Sequence, residues 1–225
     1  MADFLLLTQV LLYVAAVVGG LAVAVTVGLT AGNFHGCCIL YAPIVEDTAS
    51  PTYQWLIKCS SNSNCHFPIG VGVAAVVYGV IYGGYCAYTL ISRTRNGKDM
   101  VVLPSLLLNG VLSLLTLVCG AMVSVGYNNF CAQVKDVIFY GYEYGTCSRY
   151  QSSAGYKKGD NDGMPFDTFM TAAQISLWAL FGVWAVLTGL TILRMRLNSR
   201  EGRPATLPKL PWKRSGNDEM TSPVI

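Results

Sequence analysis

The sequence predicts an all-α membrane protein, a bundle of four transmembrane helices with two disulfide-braced extracellular loops. Three observations lead to this fold class. Hydrophobic residues make up 53% of the 225 residues and charged residues only 12%, about half the charged fraction of an average soluble protein. Four long stretches contain no Lys, Arg, Asp or Glu, and most of the eight cysteines fall between those stretches. This composition argues against a disordered chain, a nucleic-acid-binding protein and a cytosolic enzyme.

Each charge-free stretch is long enough to cross a bilayer, because the hydrocarbon core needs about 20 apolar residues of helix. We place the first helix within an N-terminal segment at residues 1–30. The other three lie at residues 69–92, 101–127 and 168–193. The first stretch is not a signal peptide, since it carries Asp3 instead of a basic start and its apolar run is longer than a signal sequence needs.

The charged residues between the helices predict the orientation. The short loop 93–100 holds three basic residues, and the tail 194–225 holds seven more. The long loops 31–68 and 128–167 together hold five basic and seven acidic residues. By the positive-inside rule, both termini and the short loop are cytoplasmic and the long loops are extracellular. We expect a multi-pass protein in contact with membrane lipid, in the plasma membrane or a membrane of the secretory pathway.

Six cysteines lie in the two long loops: Cys37, Cys38, Cys59 and Cys65 in the first, and Cys131 and Cys147 in the second. This usage is typical of an oxidising compartment. Spacing alone does not resolve the pairing, but Cys131–Cys147 is the easiest local bridge. Adjacent cysteines rarely bond each other, so we expect Cys37 and Cys38 each to pair with one of the two later cysteines of that loop. Cys86 and Cys119, inside the spans, are interpreted as apolar packing residues.

The second span has a distinct pattern of small and aromatic residues. Gly79 and Gly83 form a GxxxG pair, which lets two helix backbones approach closely in lipid. Tyr78, Tyr82 and Tyr85 recur at i, i+4 and i+7, so they share one helix face. Two interpretations stay open: packing within the four-helix bundle, or a contact face for another membrane protein.

Two amides are the main polar groups within the later spans. Asn109 lies in the third and Gln174 in the fourth. Each can hydrogen-bond across a helix interface, which contributes about 0.6–2 kcal/mol in a membrane. The alternative is a polar lining for a small permeant. An ion or proton pathway is disfavoured, because such pathways usually need ionisable groups at depth and the predicted spans contain none.

The second long loop combines strand-forming residues with a turn-rich tip. Residues 137–144 have the composition of a β-strand. Residues 160–163 faintly resemble a calcium loop but lack its spaced glutamate. We identify no catalytic constellation, no metal site, no cofactor site and no small-molecule substrate, and therefore predict a protein that is not an enzyme.

Several short motifs occur in a characteristic order: Asn33-Phe34-His35-Gly36-Cys37-Cys38-Ile39-Leu40-Tyr41, Cys65-His66-Phe67, Val123-Ser124-Val125-Gly126-Tyr127, Ala173-Gln174, Leu177-Trp178-Ala179 and Val224-Ile225. In these the chain resembles the transmembrane protein 179 family, over all four spans. The resemblance implies a four-span membrane protein and supplies no catalytic mechanism. It also implies that two cysteines serve each loop, namely Cys38, Cys65, Cys131 and Cys147. Cys37 and Cys59 are additions to that pattern and suggest an extra local bridge.

Other four-span families fit less well. Tetraspanins place a Cys-Cys-Gly motif in the second, larger loop, whereas the adjacent cysteines here follow the first span. Claudin-like proteins carry a Trp-x-x-Gly-Leu-Trp motif in the first loop, and this sequence has none.

The leading hypothesis is a non-enzymatic accessory or auxiliary subunit. It would pack its spans, the second above all, against a larger membrane complex such as an ion channel or receptor. One alternative is a self-assembled pore or small-solute transporter. Another is a membrane-trafficking or membrane-organising protein. None of the three involves a nucleic acid.

Overall fold

Four long helices form the body of the protein. The computed structural model describes residues 2–34, 36–47, 54–91, 102–136, 138–139, 142–143, 147–148 and 165–200. The helices are α1 (Ala2–Asn33), α2 (Ser63–Ile91), α3 (Val102–Asp136) and α4 (Phe166–Arg200). Each contains a run long and apolar enough to cross a membrane. The predicted all-α fold with four helices of transmembrane length is therefore confirmed.

The helices are longer than the spans that polarity marks out. They contain 29 to 35 residues, which corresponds to about 44–53 Å at about 1.5 Å per residue, against about 30 Å for a hydrocarbon core. Helix α2 begins at Ser63, and α3 continues to Asp136. Polarity indicates where contact with lipid ends, but a helix continues as long as its backbone hydrogen bonds do. The extra turns form rigid supports for the long loops.

Helix α1 is central to the bundle. It packs along α2 and along α4, while α3 packs along α4 and meets α2 only slightly. The closest approach is between α1 and α2, where a Cβ added to Gly20 would lie 2.7 Å from the carbonyl oxygen of Gly72. In lipid, small residues at a crossing let backbones touch, and packing then stabilises the pair.

The first long loop contains a hairpin that the sequence analysis did not predict. Strand β1 (Ile44–Asp47) pairs antiparallel with β2 (Gln54–Ile57), and Ile44 lies opposite Ile57. Disulfides Cys37–Cys59 and Cys38–Cys65 join the chain on either side of this hairpin. The strands are too short and too polar at their turn ends to show clear alternation, so tertiary bracing rather than local pattern determines them.

The second long loop is held at its base by the Cys131–Cys147 disulfide. Strand β3 (Ile138–Phe139) pairs antiparallel with β4 (Tyr142–Glu143), within the stretch of predicted strand composition. The predicted turn-rich tip with residues 160–163, the basic short loop 93–100 and the tail beyond residue 200 lie outside the described residues.

Candidate functional site

An aromatic cluster fills the bundle at the end where α1 begins and α4 ends. The ring of Tyr13 lies 5.6 Å from that of Tyr82 and 6.1 Å from those of Tyr78 and Trp184, measured between centroids. Tyr78 and Tyr82 stack on each other at 5.5 Å. Offset and edge-to-face contacts of this kind add about 0.5–1.5 kcal/mol each beyond area burial. The cluster therefore joins α1, α2 and α4.

Asn109 connects the third helix to this cluster. Its side chain is fully buried, with 0% exposure. The amide lies 3.3 Å from the Tyr13 hydroxyl, and its Nδ2 donates to Thr191 Oγ1 at 3.4 Å. Since Tyr13 is on α1 and Thr191 on α4, Asn109 ties three helices together. The amide thus lies at the junction of these helices.

A second polar contact lies at the edge of the same cluster. Arg194 Nη1 donates to Gln9 Oε1 at 3.5 Å. Both residues belong to the ends of their helices, where long basic side chains extend toward the membrane surface. The buried indole nitrogen of Trp184 makes no hydrogen bond to a described residue, so Trp184 contributes through ring packing.

The structure does not bring the two predicted intramembrane amides together. Gln174 is half-buried on α4. Asn109 of α3 donates a hydrogen bond to Thr191, which also lies on α4. At about 1.5 Å per residue, Gln174 and Thr191 are separated by about 25 Å along the helix axis. Asn109 and Gln174 therefore do not line one common polar site.

The GxxxG pair of α2 faces α1. A Cβ added to Gly79 would lie 2.8 Å from Val17 Cγ2, and one added to Gly83 would lie 2.8 Å from Tyr13 Cβ. Of the two interpretations left open, the structure therefore places these glycines in packing within the bundle. In this structure α1 covers the face of α2 that carries them.

The three tyrosines of α2 do not have one common environment. Tyr78 and Tyr82 lie half-buried within the aromatic cluster, whereas Tyr85 is exposed. Tyr85 still lies 6.1 Å from the ring of Tyr82, so it forms the rim of the cluster. It lies between the face of α2 that contacts α1 and the face that is exposed.

The loop ends of the helices support a second buried region, here called the cap core. Its buried members come from the two long loops and from the loop ends of α2, α3 and α4: Cys38, Ile39, Leu40, Ala42, Cys65, Phe130, Val134, Cys147, Phe166 and Met170. Phe166 makes edge-to-face contacts with Phe34 and Phe130, at 5.7 and 6.1 Å. The motif that follows the first span is thus a packing segment between helices.

Two further contacts attach the first loop to α3. Tyr41 has a φ of 61°, in the left-handed region, and its ring lies over Gly126, where an added Cβ would come within 2.7 Å of it. Ile44 N donates to Gln133 Oε1 at 3.0 Å. Sequence reasoning missed both contacts, although Gly126 and Tyr41 belong to the motifs singled out there.

One group of potential metal ligands occurs among the described side chains. Cys131 Sγ, Cys147 Sγ and an Asp167 carboxylate oxygen lie within 4.8 Å of one another. The two sulfurs are bonded to each other, and metal binding by cysteine needs a thiolate. Asp167 accepts a hydrogen bond from the Tyr127 hydroxyl. The group therefore ties α3, α4 and the second loop together as a structural contact.

A family comparison agrees with this architecture. The sequence model described as Transmembrane protein 179/179B Claudin domain matches residues 5–216, nearly the whole chain. The chain belongs to the transmembrane protein 179/179B family. The resemblance drawn from the short motifs is thereby confirmed.

One relative of this transmembrane protein 179/179B chain is similar over most of its length. Transmembrane protein 179B of Danio rerio is 24% identical over 204 residues, which cover 89% of this chain and 88% of the relative. No solved structure matches. The absence of a Trp-x-x-Gly-Leu-Trp motif led us to separate the chain from claudin-like proteins, and that was wrong at the level of the domain, because the matching family model is itself described as a claudin domain.

Proposed function

We propose that this transmembrane protein 179/179B chain is a non-enzymatic accessory subunit that packs the outer face of α2 against a larger membrane complex, such as an ion channel or receptor. The outer face is defined here by Val77, Ile81, Gly84, Tyr85 and Tyr88. The observation that carries the proposal is the exposure of this face, on a helix that packs along α1 and meets α3 only slightly.

The composition of the outer face supports a protein contact. Ile81 and Tyr88 are 66% and 69% exposed, and a Cβ at Gly84 would have nothing within 4 Å. Gly84 thus leaves open space beside the exposed Tyr85 and Tyr88. A side chain of a neighbouring helix fits into that space. Tyrosine is also enriched at the centres of protein interfaces, since it combines a large apolar ring with a hydroxyl.

The inner face of α2, which carries Gly72, Gly79 and Gly83, is already covered, and docking is therefore assigned to the outer face. Gly72, Gly79 and Gly83 already contact α1. A partner that competed for them would have to separate α1 from α2. Binding at the outer face leaves the bundle intact.

A pore through a single chain receives less support. Asn109 of α3 is hydrogen-bonded to side chains of α1 and α4. Gln174 lies about 25 Å along α4 from Thr191, which Asn109 contacts. Ion and proton pathways usually carry ionisable groups at depth, and none lies within the four predicted spans.

The proposed orientation places both long loops outside the cytoplasm and both termini within it. Three disulfides in these loops support this, since such bridges persist in oxidising compartments. The excess of basic residues in the short loop and the tail favours the same orientation. The membrane in question is the plasma membrane or one of the secretory pathway.

Affinity purification from native membranes in a mild detergent tests the proposal. We expect the tagged chain to recover a larger membrane protein in fixed stoichiometry. A variant with Ile81→Ala and Tyr88→Ala should lose that protein and still elute as a single folded species. A matched variant with Leu107→Ala and Leu114→Ala on α3, where both leucines are similarly exposed, should retain it. Recovery of monomers alone, or equal loss from both variants, contradicts the proposal.

A further inference from the structure

Two neighbouring disulfides of the first loop differ sharply in exposure. Cys37–Cys59 and Cys38–Cys65 start from adjacent residues. Cys38 and Cys65 are only 1% and 4% exposed and belong to the cap core. By contrast, Cys59 is exposed and Cys37 is half-buried. Cys37–Cys59, here called the outer bridge, therefore meets solvent, and Cys38–Cys65, the inner bridge, does not.

We propose that the Cys37–Cys59 bridge is a thiol-exchange site, which a dithiol in the solvent around the loops opens while the other two bridges stay closed. Thiol–disulfide exchange requires a thiolate to reach a sulfur atom, so its rate depends on access. Cys59 offers that access on the loop surface. Neither cysteine of Cys38–Cys65 does. In the Cys131–Cys147 bridge Cys147 is buried and Cys131 is half-buried, so that bridge has no exposed cysteine either.

The contacts around the outer bridge allow it to open locally. Ser60 N and Ser60 Oγ both donate to the carbonyl oxygen of Cys38, at 3.2 and 3.1 Å. These bonds and the Cys38–Cys65 disulfide hold the residue after Cys59 against the residue after Cys37. When the outer bridge opens, the two chain segments therefore stay side by side.

The end of α1 is held independently of the outer bridge as well. Gly36 N donates to Ala31 O at 2.8 Å, and Cys37 N donates to Phe34 O at 2.9 Å. Gly36 has a φ of 82°, the left-handed conformation that commonly ends a helix. Cys37 thus keeps its place whether or not its sulfur is bonded.

The exchange balances as a two-electron reaction. A thiolate of the dithiol attacks Sγ of Cys59, the Cys37–Cys59 bond breaks, and Cys37 leaves as a thiolate that takes up a proton. The second thiol of the reagent then attacks the mixed disulfide and releases Cys59 as a thiol. The bridge is reduced to two thiols, and the dithiol is oxidised to its own disulfide. The exposed Cys59 thiol is then available for modification.

Differential alkylation of the full-length protein in lipid nanodiscs tests this inference. The protein is exposed to graded dithiothreitol, quenched with light N-ethylmaleimide, fully reduced, and labelled with the heavy reagent before peptide mass spectrometry. We expect light label on Cys37 and Cys59 at least about tenfold faster than on the other four loop cysteines. The size-exclusion profile should not change. Equal rates for all three bridges, or earlier labelling of Cys38 and Cys65, overturn the proposal.

A pair of serine variants tests whether the fold survives without the outer bridge. Cys37→Ser with Cys59→Ser should purify as a single folded species and show no early label. Cys38→Ser with Cys65→Ser serves as the matched control, and it should unfold at a lower temperature, because that bridge lies in the cap core. Misfolding of the first variant, or equal stability of the two, contradicts local opening.

Discussion

Gly20 of α1 and Gly72 of α2 face each other at the point where the two helices cross. A Cβ built on either residue would lie 2.7 or 2.8 Å from the carbonyl oxygen of the other. Real side chains do not approach backbone atoms that closely. This packing therefore requires glycine, which has no Cβ, at both positions. The crossing orients the inner face of α2 toward α1 and leaves its outer face uncovered.

A methyl group at this crossing should destabilise the bundle. We expect Gly72→Ala to lower the free energy of unfolding by about 1–3 kcal/mol, because an overpacked interface forces a backbone shift. Gly84→Ala is the matched control, since it changes the same residue type on the same helix at a position with open space. It should leave stability unchanged or slightly raised, because alanine favours helix over glycine. Unfolding in mixed micelles of increasing dodecyl sulfate content measures both. Equal effects of the two substitutions would show that helix propensity, not the crossing, dominates.

The buried amide of Asn109 should couple energetically to Tyr13. We expect Asn109→Leu and Tyr13→Phe each to lower the free energy of unfolding. The double variant should lower it by less than the sum of the two single losses. The difference should be about 0.6–2 kcal/mol, the range for hydrogen bonds between membrane helices. A double-mutant cycle on the same unfolding assay gives this coupling energy. Strict additivity would mean that the amide and the hydroxyl do not act as a pair.

The contact between Tyr127 and Asp167 should stabilise the junction of α3 and α4. Tyr127→Phe removes the donor, and Asp167→Ala removes the acceptor. We expect each to lower the free energy of unfolding by about 1–3 kcal/mol. Asp167→Asn keeps an acceptor oxygen and should cost less than Asp167→Ala. The thermal midpoint followed by size-exclusion fluorescence checks this order, and a larger loss for Asp167→Asn would contradict it.

Composition predicts the helices of this protein well, because lipid excludes charged side chains and each span is therefore a long run without charge. It does not predict which face of a span turns inward. Helix α1 is apolar on all sides, so nothing in its local pattern singles out Tyr13 as the centre of the aromatic cluster. The partner of Gly79 and Gly83 is likewise set by how the helices assemble.

The disulfides show a similar division between local and tertiary information. Spacing indicated Cys131–Cys147 directly. It left open which later cysteine pairs with Cys37 and which with Cys38, and the structure assigns them to Cys59 and Cys65 respectively. The hairpin between these cysteines was missed, because its strands are four residues each and gain their stability from the bridges on both sides.

Site-specific photocrosslinking in native membranes tests the central claim most directly, that the outer face of α2 contacts a larger membrane protein. A photoreactive amino acid replaces Ile81 or Tyr88 on α2, and Leu107 on α3 serves as a control of similar exposure, at 63%. We predict one crosslinked product of defined mass from both α2 positions and none from Leu107. Products of the same mass from all three positions, or crosslinks to lipid alone, would contradict the claim.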